Sequence, residues 1–331
     1  MKQDSKKTWR VLAASVCGTS HQRRSLPCQD AWCWKRASDG ILLAAVADGA
    51  GSVTRSQIGA KVAVEAAIDF LATIDFTRFS PPQPVDLADT ELAIAPEMSE
   101  TEEFAETSTD ASRNYSENDS KLNSLADSTG DSKPESFKES EDSSEPSATP
   151  SPLETVLRET LAAAREAVDA EAERQAIAVR EYASTAIAIV ATSEWVAVAQ
   201  IGDGAAVVRD IDGSAIALTQ PQQGEYANQT TFLTSDDALD TAQTRIWHGR
   251  ATHLALFSDG LQRLALQMPE GTPFDRFFNP LFQFVAQDLD ETEGNRQLAA
   301  FLQSPRVTQR TDDDLTLLLG HLAETIERSG E

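Results

Sequence analysis

The sequence predicts an α+β protein in which apolar strands form sheets and helices cover them. Three observations support this class. Short apolar runs such as residues 41–47 end abruptly in Asp-Gly turns, which is typical of buried strands. Residues 57–71 repeat their apolar positions with the period of a helix. A Ser-, Glu- and Pro-rich segment, residues 80–151, interrupts this pattern between two such parts of the chain.

Composition limits the classes of partner. The chain of 331 residues has a formal net charge of −25, which argues against a nucleic-acid or anionic-membrane partner. No apolar run approaches the roughly 18 residues that span a bilayer, and the N-terminus lacks the apolar core of a signal peptide. We therefore expect a cytoplasmic, monomeric protein with no nucleic-acid or membrane partner.

The cysteines are sparse. Cys17, Cys28 and Cys33 are too few and too scattered for a disulfide framework, which fits a reducing compartment. A zinc site built from His21, Cys28 and Cys33 is an alternative, but the usual Cys-x2-Cys spacing is absent.

Residues 80–151 have a different character from the rest. They contain 18 acidic and 4 basic residues and almost no large apolar side chains. Such a segment cannot bury enough apolar surface to offset its ordering entropy. We predict a disordered acidic insertion at 80–151 within a single domain made of residues 1–79 and 152–331.

The remaining chain alternates between strand-like and helical stretches. The predicted strands are residues 9–17, 31–36, 41–47, 184–192, 194–210 (broken at Asp203), 215–218, 244–247, 252–257 and 315–320. The predicted helices are residues 57–71, a capped helix from Ser151 to about residue 178, one beginning at Leu261, 274–289, 294–303, and a short charged helix that closes the chain. Residues 18–30 form a polar loop that contains His21, Arg23 and Arg24.

Aspartates recur at the ends of the predicted apolar strands. They are Asp30, Asp48, Asp259 and Asp313, with Asp203 as a fifth in a Gly-Asp-Gly turn. Each of them alone would suit an ordinary turn or cap. Carboxylates gathered without compensating lysine or arginine repel one another, and a divalent cation relieves that repulsion. Together the aspartates predict a site for two hard cations with oxygen ligands.

The aspartates stand in motifs that follow a familiar order along the chain. These motifs are Gln29-Asp30-Ala31, Val46-Ala47-Asp48-Gly49-Ala50-Gly51, Ser184-Thr185-Ala186, Ile201-Gly202-Asp203-Gly204, Ser258-Asp259-Gly260-Leu261 and Asp313-Asp314-Leu315-Thr316. In this series the sequence resembles the metal-dependent protein phosphatases of type 2C, the PPM family, and in particular its bacterial-type branch. The resemblance covers the chain except the acidic insertion and the extreme termini.

The resemblance implies a four-layer αββα sandwich, with two antiparallel sheets flanked by helices and two Mn²⁺ or Mg²⁺ ions at one end. It implies that Asp48 bridges both ions and that the Gly49 carbonyl binds one of them. Asp259 and Asp313 would complete the shell of the second ion, and Asp30 would bind the first ion, mostly through water. Paired cations lower the pKa of a water molecule and neutralise phosphate. The implied activity is hydrolysis of phosphoserine and phosphothreonine in a phosphorylated protein substrate.

The chain departs from the family pattern near the expected proton donor. The position that often holds histidine after the second-motif Asp-Gly is Ala50, so His21 is the candidate substitute. The phosphate-binding arginine of the family corresponds to Arg24 or Arg23, and the register leaves this choice open.

A second departure concerns a third cation. Asp203 matches one of the family's ligands for it, but the other position is Arg263. Because a guanidinium repels a cation, we expect a third site to be weak or absent.

Two other functions compete with the enzyme. A pseudophosphatase would use the sandwich as a binding or sensing module, although the retained aspartates argue against it. An acidic cation-buffering protein would bind ions through residues 80–151 alone.

Overall fold

Two five-stranded antiparallel sheets form the centre of the fold, and the computed structural model describes residues 5–37, 40–79, 150–222 and 230–326. The first sheet has the strand order β1-β12-β9-β6-β7, and the second has the order β2-β3-β4-β5-β8. The strands of the first sheet are β1 (Ser5–Val16), β6 (Ala205–Asp210), β7 (Ala215–Ala217), β9 (Ala251–Phe257) and β12 (Leu315–Ile326). Those of the second are β2 (Ala31–Arg36), β3 (Leu42–Ala47), β4 (Ala186–Ala191), β5 (Trp195–Ile201) and β8 (Gln243–His248). A separate short ribbon pairs β10 (Leu266–Gln267) with β11 (Thr272–Pro273).

The described residues form α-helices of 4 to 24 residues, and the longer ones lie on the outer faces of the two sheets. They are α1 (Thr19–Arg24), α2 (Ser56–Leu71), α3 (Pro152–Gln175), α4 (Gln262–Ala265), α5 (Asp275–Val285), α6 (Glu291–Leu302) and α7 (Pro305–Thr308). Helix α3 begins as the capping pattern predicts, because the Ser151 side chain accepts a hydrogen bond of 3.2 Å from the Glu154 amide and Pro152 occupies the first turn.

The buried side chains form three apolar layers. One lies between the two sheets and includes Trp9, Leu42 and Leu254. Another lies between the second sheet and helices α2 and α3, and the last between the first sheet and helices α5 and α6. Both faces of strands such as β3 are therefore buried, which explains their continuous apolar sequence. The arrangement is helix, sheet, sheet, helix, and it confirms the expected αββα sandwich.

The predicted C-terminal helix is wrong. Residues 321–326 extend β12, and they pair with β1 from Arg10↔His321 to Ser5↔Ile326. The charged sequence suggested a solvent-facing helix, but the long partner strand supplies backbone hydrogen bonds that override this local preference. Part of the predicted polar loop at 18–30 is also helical, because α1 occupies Thr19–Arg24.

The predicted acidic insertion lies almost wholly outside the described residues, since 80–149 are not among them. The disorder of this segment and the domain boundaries therefore stay predictions. Among the residues that the structure describes, no helix is both long enough and apolar enough to cross a bilayer.

Gly59 provides a test of the packing of α2. A Cβ at this position would lie 1.9 Å from the Tyr182 carbonyl oxygen. Alanine normally stabilises a helix by about 1 kcal/mol relative to glycine. Here we expect Gly59→Ala to lower the free energy of unfolding by about 1–3 kcal/mol, because backbone atoms must move apart. Urea denaturation measures this change, and Lys61→Ala on the exposed face of α2 is the control; a stabilised Gly59→Ala protein would contradict the packing.

Candidate metal centre

The strand registers bring all five predicted aspartates to the same end of the sandwich. In the second sheet Ala31 pairs with Ala47, so Asp30 and Asp48 adjoin that pair. In the first sheet Phe257 pairs with both Ala205 and Leu317. Three aspartates lie beyond these pairs and therefore share one end of the strands of that sheet: Asp203, Asp259 and Asp313.

Hydrogen bonds between its backbone and Thr185 fix the position of Asp48. Its amide donates a 2.9 Å hydrogen bond to Thr185 Oγ1, and its carbonyl accepts one of 2.8 Å from the Thr185 amide. Gly49 permits a close approach, since a Cβ there would lie 2.7 Å from the Gln29 carbonyl oxygen. Only glycine at this position lets the segment before β2 pack against the segment after β3.

Three carboxylates converge at this edge. Asp48, Asp203 and Asp259 each present an oxygen atom, and these atoms all lie within 4.8 Å of one another. Asp203 Oδ2 accepts a 2.6 Å hydrogen bond from Thr230, whereas Asp203 Oδ1 and Asp259 Oδ1 are buried without a hydrogen-bond partner among the described residues. The protein thus leaves oxygen atoms of this cluster unsatisfied.

The pKa values of these groups reflect burial and mutual repulsion. Burial, followed by the neighbouring charges of Asp30 and Asp259, raises the pKa of Asp48 well above its usual value. Burial and the charge of Asp203 raise the pKa of Asp259 to about 7. Burial raises the pKa of Asp30 to about 6 and also raises that of Asp203. Ionisation of the whole group is therefore unfavourable without an added positive charge.

Asp30 ties the two sheets together. It is 9% exposed, and its Oδ2 accepts a 2.7 Å hydrogen bond from the Ser258 hydroxyl. The same hydroxyl accepts a 3.0 Å hydrogen bond from the Thr316 amide. Asp30 Oδ1 is buried and has no partner among the described residues. Ser258 therefore joins β9 and β12 of the first sheet to the segment that leads into β2 of the second.

Asp313 and Asp314 lie in different environments although they are adjacent. The Asp313 side chain is exposed and lies outside the converging group of three, and its Oδ1 accepts a 2.9 Å hydrogen bond from the Asp314 amide. Asp314 is 2% exposed and accepts three hydrogen bonds, from the Gly18 and Gln29 amides, each at 2.6 Å, and from His21 Nδ1 at 2.9 Å. Asp314 therefore anchors the segment from residue 18 to residue 29 against the start of β12.

His21 is buried, at 4% exposure, and lies in α1 within the stretch predicted as a polar loop. Its Nδ1 contacts Asp314, and its Nε2 faces the loop that follows Asp48. A Cβ at Gly51 would lie 3.5 Å from this Nε2. The histidine ring is thus oriented toward the aspartate loop by a buried carboxylate.

Of the remaining predicted positions, the three arginines are exposed and Ala50 is buried. Arg23 and Arg24 are exposed in the last turn of α1, and no ion pair engages them within the described part of the chain. Ala50 is buried, and its amide donates to the Ala183 carbonyl. Arg263 is exposed on α4.

Sequence reasoning missed three residues that build the site. Thr185 holds Asp48, Ser258 holds Asp30, and Asp314 holds His21. Thr185 and Ser258 stood inside recognised motifs, but their roles depend on contacts between strands distant in sequence. For Asp314 a signal existed, because alternation along a strand places Asp313 and Asp314 on opposite sides of the chain.

The residue set suits divalent cations. Buried carboxylate oxygens without hydrogen-bond partners are the hard ligands that Mn²⁺ and Mg²⁺ accept. Among the described residues no lysine or arginine forms an ion pair with Asp30, Asp48, Asp203 or Asp259. The positive charge that this site needs therefore has to come from outside these side chains.

Comparison with known proteins identifies the class to which this fold and site belong. The family model described as Protein phosphatase 2C matches residues 17–126 and 134–303. The serine/threonine-protein phosphatase 3 of Escherichia coli strain K12 is 31% identical over 323 residues, which cover 96% of this chain and 100% of that protein. The chain thus belongs to the protein phosphatase 2C family and is a serine/threonine phosphoprotein phosphatase, with phosphoproteins as its substrates. Binding of Mn²⁺ or Mg²⁺ is typical of this family.

Solved structures share the fold at low sequence identity. One is PppA, described as a key regulatory component of T6SS in Pseudomonas aeruginosa, with a TM-score of 0.50, 17% identity and coverage of 97% of this chain and 100% of that one. Another is a bacterial serine phosphatase with a TM-score of 0.50, 12% identity and coverage of 96% and 99%. These similarities support the sandwich fold alone.

Ser258 provides a test of the link between the sheets. Ser258→Ala removes the hydroxyl that pairs with Asp30 and with the Thr316 amide. We expect the free energy of unfolding to fall by about 1–3 kcal/mol, because two buried polar groups lose their partner. Ser304→Ala is the matched control, since the buried Ser304 hydroxyl has no hydrogen-bond partner among the described residues and its loss should cost less than about 0.5 kcal/mol. Equal effects of the two substitutions in chemical denaturation would contradict the role of Ser258.

Proposed function

We propose that the protein hydrolyses phosphoserine and phosphothreonine in proteins with two bound Mn²⁺ or Mg²⁺ ions. The observation that carries this proposal is the convergence of Asp48, Asp203 and Asp259, whose oxygens lie within 4.8 Å of one another in a chain of the protein phosphatase 2C family. When bound, the cations would lower the pKa of a water molecule and neutralise the phosphate.

The proposed ligands are Asp30, Asp48, the carbonyl of Gly49, Asp259 and Asp313. Asp48 is central, because its carboxylate is close to Asp259 and its backbone is fixed by Thr185. Asp203 lies near enough to Asp48 and Asp259 to share a cation with them. The exposed Arg263 is not part of this cluster, and no hydrogen bond joins it to the described residues of the site.

We propose His21 as the proton donor to the leaving serine or threonine oxygen. Asp314 takes the hydrogen bond of Nδ1, so Nε2 stays directed at the loop from Asp48 to Gly51. In the protonated ring both nitrogens are donors, so Nε2 can deliver a proton while Nδ1 keeps its bond to Asp314.

We propose Arg24 or Arg23 as the phosphate ligand. Their guanidinium groups are exposed and follow His21 by two and three residues, in the last turn of the same helix. Planar guanidinium groups bind phosphate oxygens in pairs, and the described residues provide no ion pair that would compete.

The central test replaces the proposed bridging ligand. Asp48→Asn keeps the shape of the side chain and the backbone bonds to Thr185 but removes one negative charge. We expect the Mn²⁺-dependent rate on a phosphothreonine peptide to fall about 100-fold or more. Saturable Mn²⁺ binding by calorimetry should weaken in parallel.

The control is Asp69→Asn, an identical change at an exposed position of α2. It should keep both wild-type activity and Mn²⁺ affinity. An inactive wild-type protein that still binds Mn²⁺ would favour a binding module, and full activity of Asp48→Asn would overturn the assignment of Asp48.

The role of His21 is tested with two leaving groups. We expect His21→Gln to slow hydrolysis of a phosphoserine peptide by about 100-fold, because an alkoxide needs a proton to leave. Hydrolysis of p-nitrophenyl phosphate, whose leaving group needs no proton, should change by less than about threefold. His248→Gln, at an exposed histidine, is the control. Equal losses on the two substrates would show that His21 only supports the structure.

A further inference from the structure

A row of basic side chains crosses the first sheet at the end opposite the aspartates. The register pairs Arg10 with His321, His321 with His253, and His253 with Arg209. Directly paired residues project from the same face of a sheet, so these four side chains stand side by side. The His253 and His321 rings lie 4.5 Å apart between centroids. We call these four residues the basic row.

The basic row lies on the face that carries α5. The His253 ring is 5.1 Å from that of Phe282, and the Arg209 guanidinium lies over the Phe282 ring at 4.6 Å. A hydrogen bond from Arg209 Nη2 to Asn279 further fixes the plane of this guanidinium. The row is thus a rigid part of the fold.

Positive charge in the row is poorly compensated. Arg10 pairs with Asp288 at 2.6 Å. No carboxylate of the described residues lies within 4.0 Å of Arg209, and the same holds for the nearby exposed Arg250. Both guanidinium groups line the same cavity, although the charge of Asp275 also acts on Arg209.

Both imidazoles of the row are poor bases. Burial, and then the charges of His321 and Arg209, lower the pKa of His253 to about 4. Burial lowers the pKa of His321 as well. The two rings therefore act as neutral polar groups near neutral pH. Arg209 Nε and His321 Nδ1 are also buried without a hydrogen-bond partner in the described part of the chain.

A cavity of about 540 Å³ opens beside the row, and we call it the distal cavity. Its charged and imidazole lining consists of Lys7, Arg209, Asp210, Arg250, His253, His321 and Glu324. Lys7 and Glu324 approach each other to 3.8 Å, and Asp210 accepts a 2.6 Å hydrogen bond from the Ile211 amide. The guanidinium groups of Arg209 and Arg250 outnumber the remaining carboxylate of Asp210, so the lining is left with a net positive charge. The volume lies within the range of roughly 300–1,000 Å³ that is usual for small-molecule sites.

We propose that the distal cavity binds a phosphate-bearing small molecule through Arg209 and Arg250, with His253 and His321 as further polar contacts. Two guanidinium charges match a phosphate monoester, which carries about −1.5 to −2 at pH 7. Guanidinium groups also match the geometry of phosphate oxygens.

The distal cavity is separate from the catalytic site. His253 lies in β9, four residues before the strand ends at Phe257, and this part of the strand alone spans about 13 Å before the chain continues to Asp259. A ligand in the distal cavity therefore cannot contact the aspartates. Phosphate released at the metal centre would occupy a different place.

The four histidines of the chain allow each site to be observed separately. The experiment uses the full-length protein with Mg²⁺, which does not broaden NMR signals, and assigns each imidazole resonance with a His→Gln variant. The probes are inorganic phosphate and phenylphosphonate, a phosphate-like dianion that cannot be hydrolysed. Ionic strength is held constant with chloride. We expect saturable shifts at His253 and His321 and none at His248, whereas His21 reports on the catalytic site.

Arg250→Gln should raise the apparent dissociation constant of the probe, read from the shifts of His253 and His321, about tenfold or more. The reason is that this exposed arginine of the cavity loses its charge. Arg276→Gln, at an exposed arginine of α5 away from the cavity, is the matched control and should leave the titration unchanged. Arg209→Gln should abolish the response, with thermal unfolding used to verify its fold. The proposal is overturned if neither probe shifts His253 and His321 at tens of millimolar, or if Arg250→Gln titrates like the wild type.

Discussion

The structure depends on keeping several carboxylates close together at one end of a closely packed sandwich. Strand registers place Asp30 and Asp48 at the strand ends of one sheet, and Asp203 and Asp259 at the strand ends of the facing sheet. Burial and mutual repulsion raise the pKa of each of these groups. Side chains of the described residues leave three of their oxygens without partners. The fold therefore supplies the energy that holds these charges together, and the unsatisfied oxygens define what the site can bind.

Two buried hydrogen-bond networks withstand this repulsion. The Ser258 hydroxyl connects Asp30 to the Thr316 amide, and Asp314 connects the segment before β2 to the start of β12. Asp314 and Asp48 are the same residue type with opposite roles. Asp314 has three donors and is a structural anchor, whereas Asp48 has other carboxylates as its neighbours. The number of hydrogen-bond donors that surround a buried aspartate thus separates anchoring from ligand binding.

Sequence patterns predicted those parts of the fold that depend on local signals. Strand 31–36 was predicted with its observed bounds, and the run 194–210 was correctly divided at Asp203, because glycines flank the turn. The adjacency of Asp30 and Asp48 depends on the antiparallel pairing of β2 and β3, which follow one another in the chain and so also form a local feature. The prediction of a C-terminal helix was wrong because the conformation of residues 321–326 depends on pairing with β1, which lies more than 300 residues away in sequence.

The parts of the site that were missed depend on contacts between the two sheets. No periodicity indicates that the turn at Asp203 meets the ends of β3 and β9, because this depends on how one sheet lies on the other. The same holds for Ser258 and Asp30, which are 228 residues apart. Motif order could suggest that these residues share a site, but it could not assign a partner to each oxygen.

The first sheet also separates charge along its strands. Aspartates of the candidate metal centre lie beyond one end of β6, β9 and β12, whereas Arg209, His253 and His321 lie toward the other end, where β6 also ends in Asp210. The ends of β9 are about 20 Å apart, and mobile ions screen charges in water beyond roughly 8–10 Å. The basic row therefore cannot neutralise the carboxylates, nor can they neutralise the row. The aspartate end therefore needs a cation from outside these side chains, and an anion is the ligand proposed for Arg209 and Arg250 at the other end.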